Sequence, residues 1–101
     1  MGFLDFIFGA KKRQVEDYIE NGAIILDVRT QREWDNGHIE DAVHIPLSEL
    51  NNRVSEVKII NKPLVVCCAS GARSAKASKF LNLKNIDAIN GGGWVKLRGK
   101  L

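Results

Sequence analysis

At 101 residues the chain has the length of one compact domain, and its 45% hydrophobic and 27% charged residues exclude a disordered tail. A formal net charge of +3, with acidic residues interleaved among the basic ones, gives no electrostatic footprint for nucleic acid. The only two cysteines are adjacent, which excludes the spaced disulfide framework of a secreted mini-domain and supplies no metal-ligand spacing, so no metal is expected and a reducing compartment is.

The opening Met1 to Gly9 is apolar but carries Asp5, lacks a basic n-region and is too short for a signal peptide or a membrane span. Phe6 stands where a myristoylation signal has Ser or Thr. Residues 1–12 are therefore expected to pack on or near the core, ahead of a single domain over 13–101, in a cytoplasmic protein without membrane contact. Val15, Tyr18 and Ile19 recur at helical spacing, and Asn21-Gly22 supplies the stop. The uninterrupted apolar run Ala23 to Leu26 reads as a strand covered on both faces, ending in Asp27-Val28-Arg29.

Thr30, with Glu33 three residues on, predicts a capping box for a short helix through Trp34, broken at Asn36-Gly37. A brief strand, Ala42 to Ile45, stops at Pro46. Ser48 is a candidate cap for the next helix, with Leu50 and Val54 turned inward. Leu64 to Cys67 is the second fully apolar strand, Ser74 to Asn82 return to helical spacing, and Ile86 to Ile89 read as a last strand. Gly91-Gly92-Gly93 then turn the chain into a final helical turn at Trp94 to Leu97. Strands alternating with helices predict an α/β fold, a mainly parallel sheet with helices on both faces.

Cys68 stands where an apolar strand ends, before a glycine-containing turn and a helix. Ligands of parallel sheets collect beyond the carboxyl ends of the strands, where successive N–H groups and a helix N-terminus surround an anion. A free thiol is only about 3% thiolate at pH 7, and lowering its pKa by roughly two units makes most of it thiolate. Loop amides and the helix dipole can supply that shift, Gly71 allows close backbone approach, and Arg73 adds a permanent positive charge.

The stretch Cys68-Ala69-Ser70-Gly71-Ala72-Arg73-Ser74 resembles the Cys-x-x-Gly-x-Arg-Ser active-site loop of rhodanese domains. Asp27-Val28-Arg29 with Glu33-Trp34, then Gly37-His38-Ile39 leading through Ala42 to Ile45-Pro46, resembles the family's first signature, and Gly92-Gly93-Trp94 its C-terminal one. The resemblance runs from about residue 13 to the end. It implies a three-layer sandwich with a central, mainly parallel five-stranded sheet. It also implies a thiosulfate sulfurtransferase in which Cys68 takes sulfane sulfur from thiosulfate or a similar small anionic donor, holds it as a persulfide without any other cofactor, and passes it to cyanide or a thiol acceptor, a sulfur-relay protein included. Carried across, Cys68 is the nucleophile and Ala69, Ser70, Gly71, Ala72 and Arg73 form the cradle. Asp27, Arg29, Glu33 and His38 support the pocket. The departure is Cys67, where the family often has Tyr or His.

Two rival functions share these residues. Cys67 and Arg73 enclose five positions, the spacing of cysteine-dependent phosphatases and arsenate reductases, but a many-oxygen anion needs a wider ring of amides and the loop offers no general acid. The other rival is a persulfide carrier or regulatory binding module, which the same Cys68 chemistry would serve. Bland readings fall elsewhere. Strand alternation turns Cys67 away from Cys68 and into the core, His38 reads as a hydrogen-bonded structural residue, His44 as packed or at an edge, and Trp94 as core.

Overall fold

The computed structural model describes residues 14–101, so the expected packing of residues 1–12, and the start of the domain at residue 13, lie outside the described residues. Helix α1 is described over 14–20 and closes at the turn Asn21-Gly22, where Gly22 takes φ +83°. It is followed by β1 (Ile24–Asp27), α2 (Gln31–Asp35), β2 (Val43–His44), α3 (Leu47–Leu50), a 3-10 turn (Asn51–Arg53), α4 (Val54–Ile60), β3 (Leu64–Cys68), α5 (Ala72–Leu83), β4 (Ala88–Gly93) and α6 (Trp94–Arg98).

The strands form one parallel sheet in the order β2-β1-β3-β4. Among the described residues it has four strands, not the five that the family resemblance implied: each apolar run of the described chain gives one strand, and none is left for a fifth. From β1 the chain moves outward through α2 to β2, and from β3 it moves the other way through α5 to β4. The order therefore reverses between β1 and β3, and the carboxyl ends of these two neighbours, Asp27 and Cys68, border the crevice where open α/β sheets bind ligands.

Each strand residue packs to one side. Leu26, Leu64, Val66 and Cys68 face a cluster with Val57 of α4 and Ala77 and Leu81 of α5, while Ile25, Val65 and Cys67 face Val15 of α1 and Leu97 of α6. The result is the three-layer sandwich expected. Full burial of each such Leu or Val side chain is worth about 1.5–3 kcal/mol, so the two clusters clamp β1 and β3 from both faces.

Local departures from the sequence reading have local causes. Ser48 does not cap a helix: α3 begins at Leu47, because Pro46 fixes φ at −56° and the Leu47 N–H donates to the Val28 carbonyl at 3.0 Å. Helix α5 starts at Ala72 rather than Ser74, which brings Arg73 and Ser74 into its first turn. The last strand runs Ala88–Gly93 rather than 86–89, since the Ile86 N–H is spent on the Leu81 carbonyl and the ladder begins at Ala88 opposite Leu64. The three glycines stay in that strand, Gly92 and Gly93 paired with Cys67 and Cys68, and a bulge between the Val66–Asn90 and Cys67–Gly92 pairs skips Gly91. A Cβ on Gly91 would lie 2.5 Å from Val65 Cγ1, which explains why no side chain stands there. Among the described residues no helix is long and apolar enough to cross a membrane.

Candidate active site

Cys68 is the last residue of β3, and its side chain is fully buried. The chain leaves the strand through Ala69 and Ser70, both exposed, and turns at Gly71 with φ +104°, a conformation open to glycine at little cost. That turn aims the Gly71 N–H at Cys68 Sγ, 3.0 Å away, and the Ser74 N–H donates to the same sulfur at 3.4 Å. Helix α5 has no side-chain cap of the usual kind. The sulfur accepts one of its unpaired first-turn donors instead, which sets Sγ at the positive end of the helix dipole.

The Ser74 hydroxyl completes the cradle, with Oγ 3.3 Å from Sγ. Burial by itself pushes the Cys68 thiol up, but the Ser74 hydroxyl and the amides of Ser74, Gly71 and Ser70 outweigh it and hold the thiol below its ordinary value. Behind Ser74 stands Asn90 of β4. Its Oδ1 accepts from the Ser74 hydroxyl at 2.7 Å and from the Gly92 N–H at 2.9 Å, and its Nδ2 donates to the Gly71 carbonyl at 3.1 Å. Neither Asn90 nor the hydroxyl of Ser74 stands out as a site group in the sequence reading. Asn90 reaches the loop from a strand sixteen residues beyond Ser74, and no local pattern announces the contact.

The glycines of β4 make the room. A Cβ on Gly93 would lie 2.8 Å from the Ala69 carbonyl oxygen, and one on Gly71 would lie 3.3 Å from Gly92 Cα, so loop and strand meet backbone to backbone. Ala69, Ser70 and Ala72 carry small side chains and are exposed along this loop.

Arg73 does not point at the sulfur. Its guanidinium makes a two-pronged pair with Glu33 of α2, at 2.6 and 2.8 Å, and so ties the loop after β3 to the helix after β1. Glu33 also completes the predicted capping box: its N–H donates to Thr30 Oγ1 at 3.2 Å and its Oε1 accepts from the Thr30 N–H at 3.0 Å. The Arg73 hydrogen bonds, the largest effect, draw the Glu33 carboxyl down to about 2 against burial, which comes next and opposes them, with the Thr30 hydrogen bonds and the Arg73 charge adding to the downward shift.

Asp27 and Arg29 form a buried pair beneath this bridge. Arg29 Nη2 donates to Asp27 Oδ2 at 2.8 Å and to the Gly37 carbonyl at 2.7 Å, Nη1 donates to the Glu33 carbonyl at 3.3 Å, and the guanidinium lies 4.5 Å over the Trp94 ring. His38 Nδ1 carries a proton to the Trp34 carbonyl at 2.8 Å, and His44 Nε2 one to the Arg29 carbonyl at 2.7 Å, because a carbonyl can only accept. Trp34 stacks between the two imidazoles, at 3.6 and 4.6 Å. His38 is thus bonded to backbone, and His44 lies on the edge strand β2. Trp94 is half-buried between Arg29 and Arg98.

Cys67 is on the other side of the sheet, fully buried with Val65, Ile25 and Leu97. Burial, with the Asp27 charge adding to it and Arg29 opposing, pushes its thiol up to about 12. Cys67 and Arg73 share no cradle, so the structure does not assemble the wider loop of the phosphatase reading.

The family model for the rhodanese-like domain matches residues 11–99. The chain belongs to the rhodanese-like domain family. This rhodanese domain is 36% identical over 81 residues to the uncharacterized protein YqhL of Bacillus subtilis (strain 168), covering 78% of this chain and 64% of that protein. It is 30% identical over 82 residues to the thiosulfate sulfurtransferase GlpE of Pseudomonas syringae pv. syringae (strain B728a), covering 78% and 76%. It is also 42% identical over 65 residues to the putative sulfur carrier protein YrkF of B. subtilis (strain 168), covering 64% of this chain and 35% of that protein. The matched region thus spans just under two thirds of YqhL and about a third of YrkF. Among solved structures, the rhodanese-like domain protein of Staphylococcus aureus superposes with a TM-score of 0.70 at 31% identity, covering 83% of this chain and 87% of that one.

Proposed function

We propose that this rhodanese domain is a sulfurtransferase in which Cys68 takes sulfane sulfur from thiosulfate or a similar small anion, holds it as a persulfide and passes it to cyanide or a thiol. A role in sulfur transfer or sulfur carriage follows from the family and from the similarity to GlpE and YrkF. The observation that carries the finer reading is the cradle at the switch point: two backbone N–H groups and one hydroxyl converge on Cys68 Sγ at 3.0–3.4 Å.

The chemistry balances without any further cofactor. The Cys68 thiolate attacks the outer sulfur of the donor, the Sγ–S bond forms, the donor's S–S bond breaks, and its electron pair leaves with sulfite when the donor is thiosulfate. In the second half, cyanide or a thiolate attacks the outer sulfur and the Sγ–S electron pair returns to Cys68. The same donors act in both halves, because a lowered thiol is at once a larger thiolate fraction in the attack and a better leaving group in the release. Arg73, held by Glu33, orders the loop rather than meeting the sulfur.

A carrier reading shares this persulfide and is favoured by the similarity to the putative sulfur carrier YrkF. In it the acceptor is the thiol of a sulfur-relay protein, in the cytoplasm. Intact mass after incubation with thiosulfate tests the common step. One added sulfur that requires Cys68, survives Cys67→Ser and is removed by cyanide is the expected result; no adduct from thiosulfate or from a persulfide donor overturns the proposal.

A further inference from the structure

Ser74 has one hydroxyl proton and two acceptors for it. Its Oγ is 2.7 Å from Asn90 Oδ1 and 3.3 Å from Cys68 Sγ. A neutral thiol, or an Sγ bonded to a second sulfur, is a weak acceptor, so the proton then belongs to Oδ1. A thiolate is a charge-assisted acceptor and draws the same proton by rotation about Cβ–Oγ, with no covalent bond broken.

Asn90 is built to allow this exchange. When the hydroxyl turns away, Oδ1 keeps the Gly92 N–H at 2.9 Å and is not left bare. The amide cannot reverse, since a flip would set Oδ1 against the Gly71 carbonyl and Nδ2 against the Gly92 N–H. Its Nδ2 also grips the residue whose N–H lies 3.0 Å from Sγ. One exposed side chain on β4 thereby fixes both the hydroxyl and the turn that face the sulfur.

We propose that Asn90 is a positioning residue for Cys68, its Oδ1 holding the Ser74 proton while Cys68 is neutral and yielding it to Sγ when the thiolate forms. This rests on Cys68 being the sulfur-bearing residue, but the experiment that tests it reads the thiol itself rather than transfer.

The experiment is a pH titration of ultraviolet thiolate absorbance in the full chain, each variant referenced to the same protein carrying Cys68→Ser. Ser74→Ala raises the Cys68 midpoint by about one pH unit, the loss of one hydrogen bond to a charged group. Asn90→Ala removes the competing acceptor and lowers the midpoint by about half a unit, whereas in the Ser74→Ala background, where only the Nδ2 grip on the Gly71 turn is lost, it does not lower it. Asn90→Asp, whose carboxylate grips the hydroxyl harder and repels the thiolate, raises the midpoint more with Ser74 present than without it. The assignment is overturned by an Asn90→Ala midpoint that is unchanged or raised, or by shifts of equal size with and without Ser74. Midpoints that move as expected while no sulfur adduct forms would sink the persulfide reading and leave the Asn90 assignment in place.

Discussion

At the scale of single residues, the two adjacent cysteines are the sharpest contrast in the molecule. Alternation along β3 puts Cys67 among Val65, Ile25 and Leu97 and Cys68 under the helix α5 N-terminus, so neighbours in sequence have opposite surroundings and oppositely shifted thiols. Cys68→Ser is expected to abolish sulfur transfer with the unfolding midpoint nearly unchanged. Cys67→Ser keeps most of the activity but places a hydroxyl in an apolar cluster, at a cost of about 1–3 kcal/mol read from denaturant unfolding. The opposite pattern would reverse the assignment. Glu33→Gln removes the charge partner of Arg73 and one arm of the α2 cap, with an expected loss of about 1 kcal/mol and slower transfer through a looser loop. The contrast between the cysteines was legible from strand period, and the Thr30–Glu33 cap from the three-residue spacing of a capping box. The Glu33–Arg73 pair was not, because it joins residues forty apart in the chain.

At the scale of elements, the site is a junction of three chain segments: the loop after β1, the turn between β3 and α5, and the glycine strand β4. The close approach of Ala69 to Gly93 is the tightest of these contacts, and it is steric rather than conformational, since Gly93 has φ −72°. Gly93→Ala therefore forces the loop away from β4 by the full overlap of a Cβ at 2.8 Å. The expected result is about 1–3 kcal/mol of destabilisation together with a Cys68 thiol that titrates closer to an ordinary cysteine; unaltered transfer and titration would show that the loop does not depend on this contact. The glycine triplet was read as a turn, because sequence pattern treats successive glycines as breakers. The pairing with β3 keeps the triplet in the strand, with Gly92 at φ +82° in the bulge, and only the partner strand supplies that constraint.

At the scale of the whole molecule, the clamped sheet makes stability depend on pH from both ends. Cys67 stays a thiol in the folded protein up to about 12 but ionises near 9 when unfolded, so its contribution is complete below pH 9 and is lost as pH rises toward about 12. Tyr18, which donates its hydroxyl to Asp87, is held up to about 12 by that bond, by burial and by the Asp87 charge, and its contribution fades over the interval from 10 upward. Glu33 works in the other direction: its contribution is complete above an unfolded value near 4.5 and is lost as pH falls toward about 2. Unfolding midpoints should therefore drop above pH 9 in the wild type and drop less in Tyr18→Phe and Cys67→Ala; a flat alkaline limb in the wild type would refute the buried-thiol account. The sequence by itself determined the alternation of strands and helices, the two-faced core, the end of β3 as the candidate position and the family resemblance, because periodicity, caps and a contiguous loop motif are all written within a few residues of one another. Only the tertiary structure decided that Arg73 faces Glu33 instead of the sulfur, that Ser74 and Asn90 form the back of the cradle, and that Gly93 makes room for Ala69. Those contacts join segments brought together by the strand order β1-β3-β4, and local pattern marks strands as parallel and buried without saying which strand lies beside which.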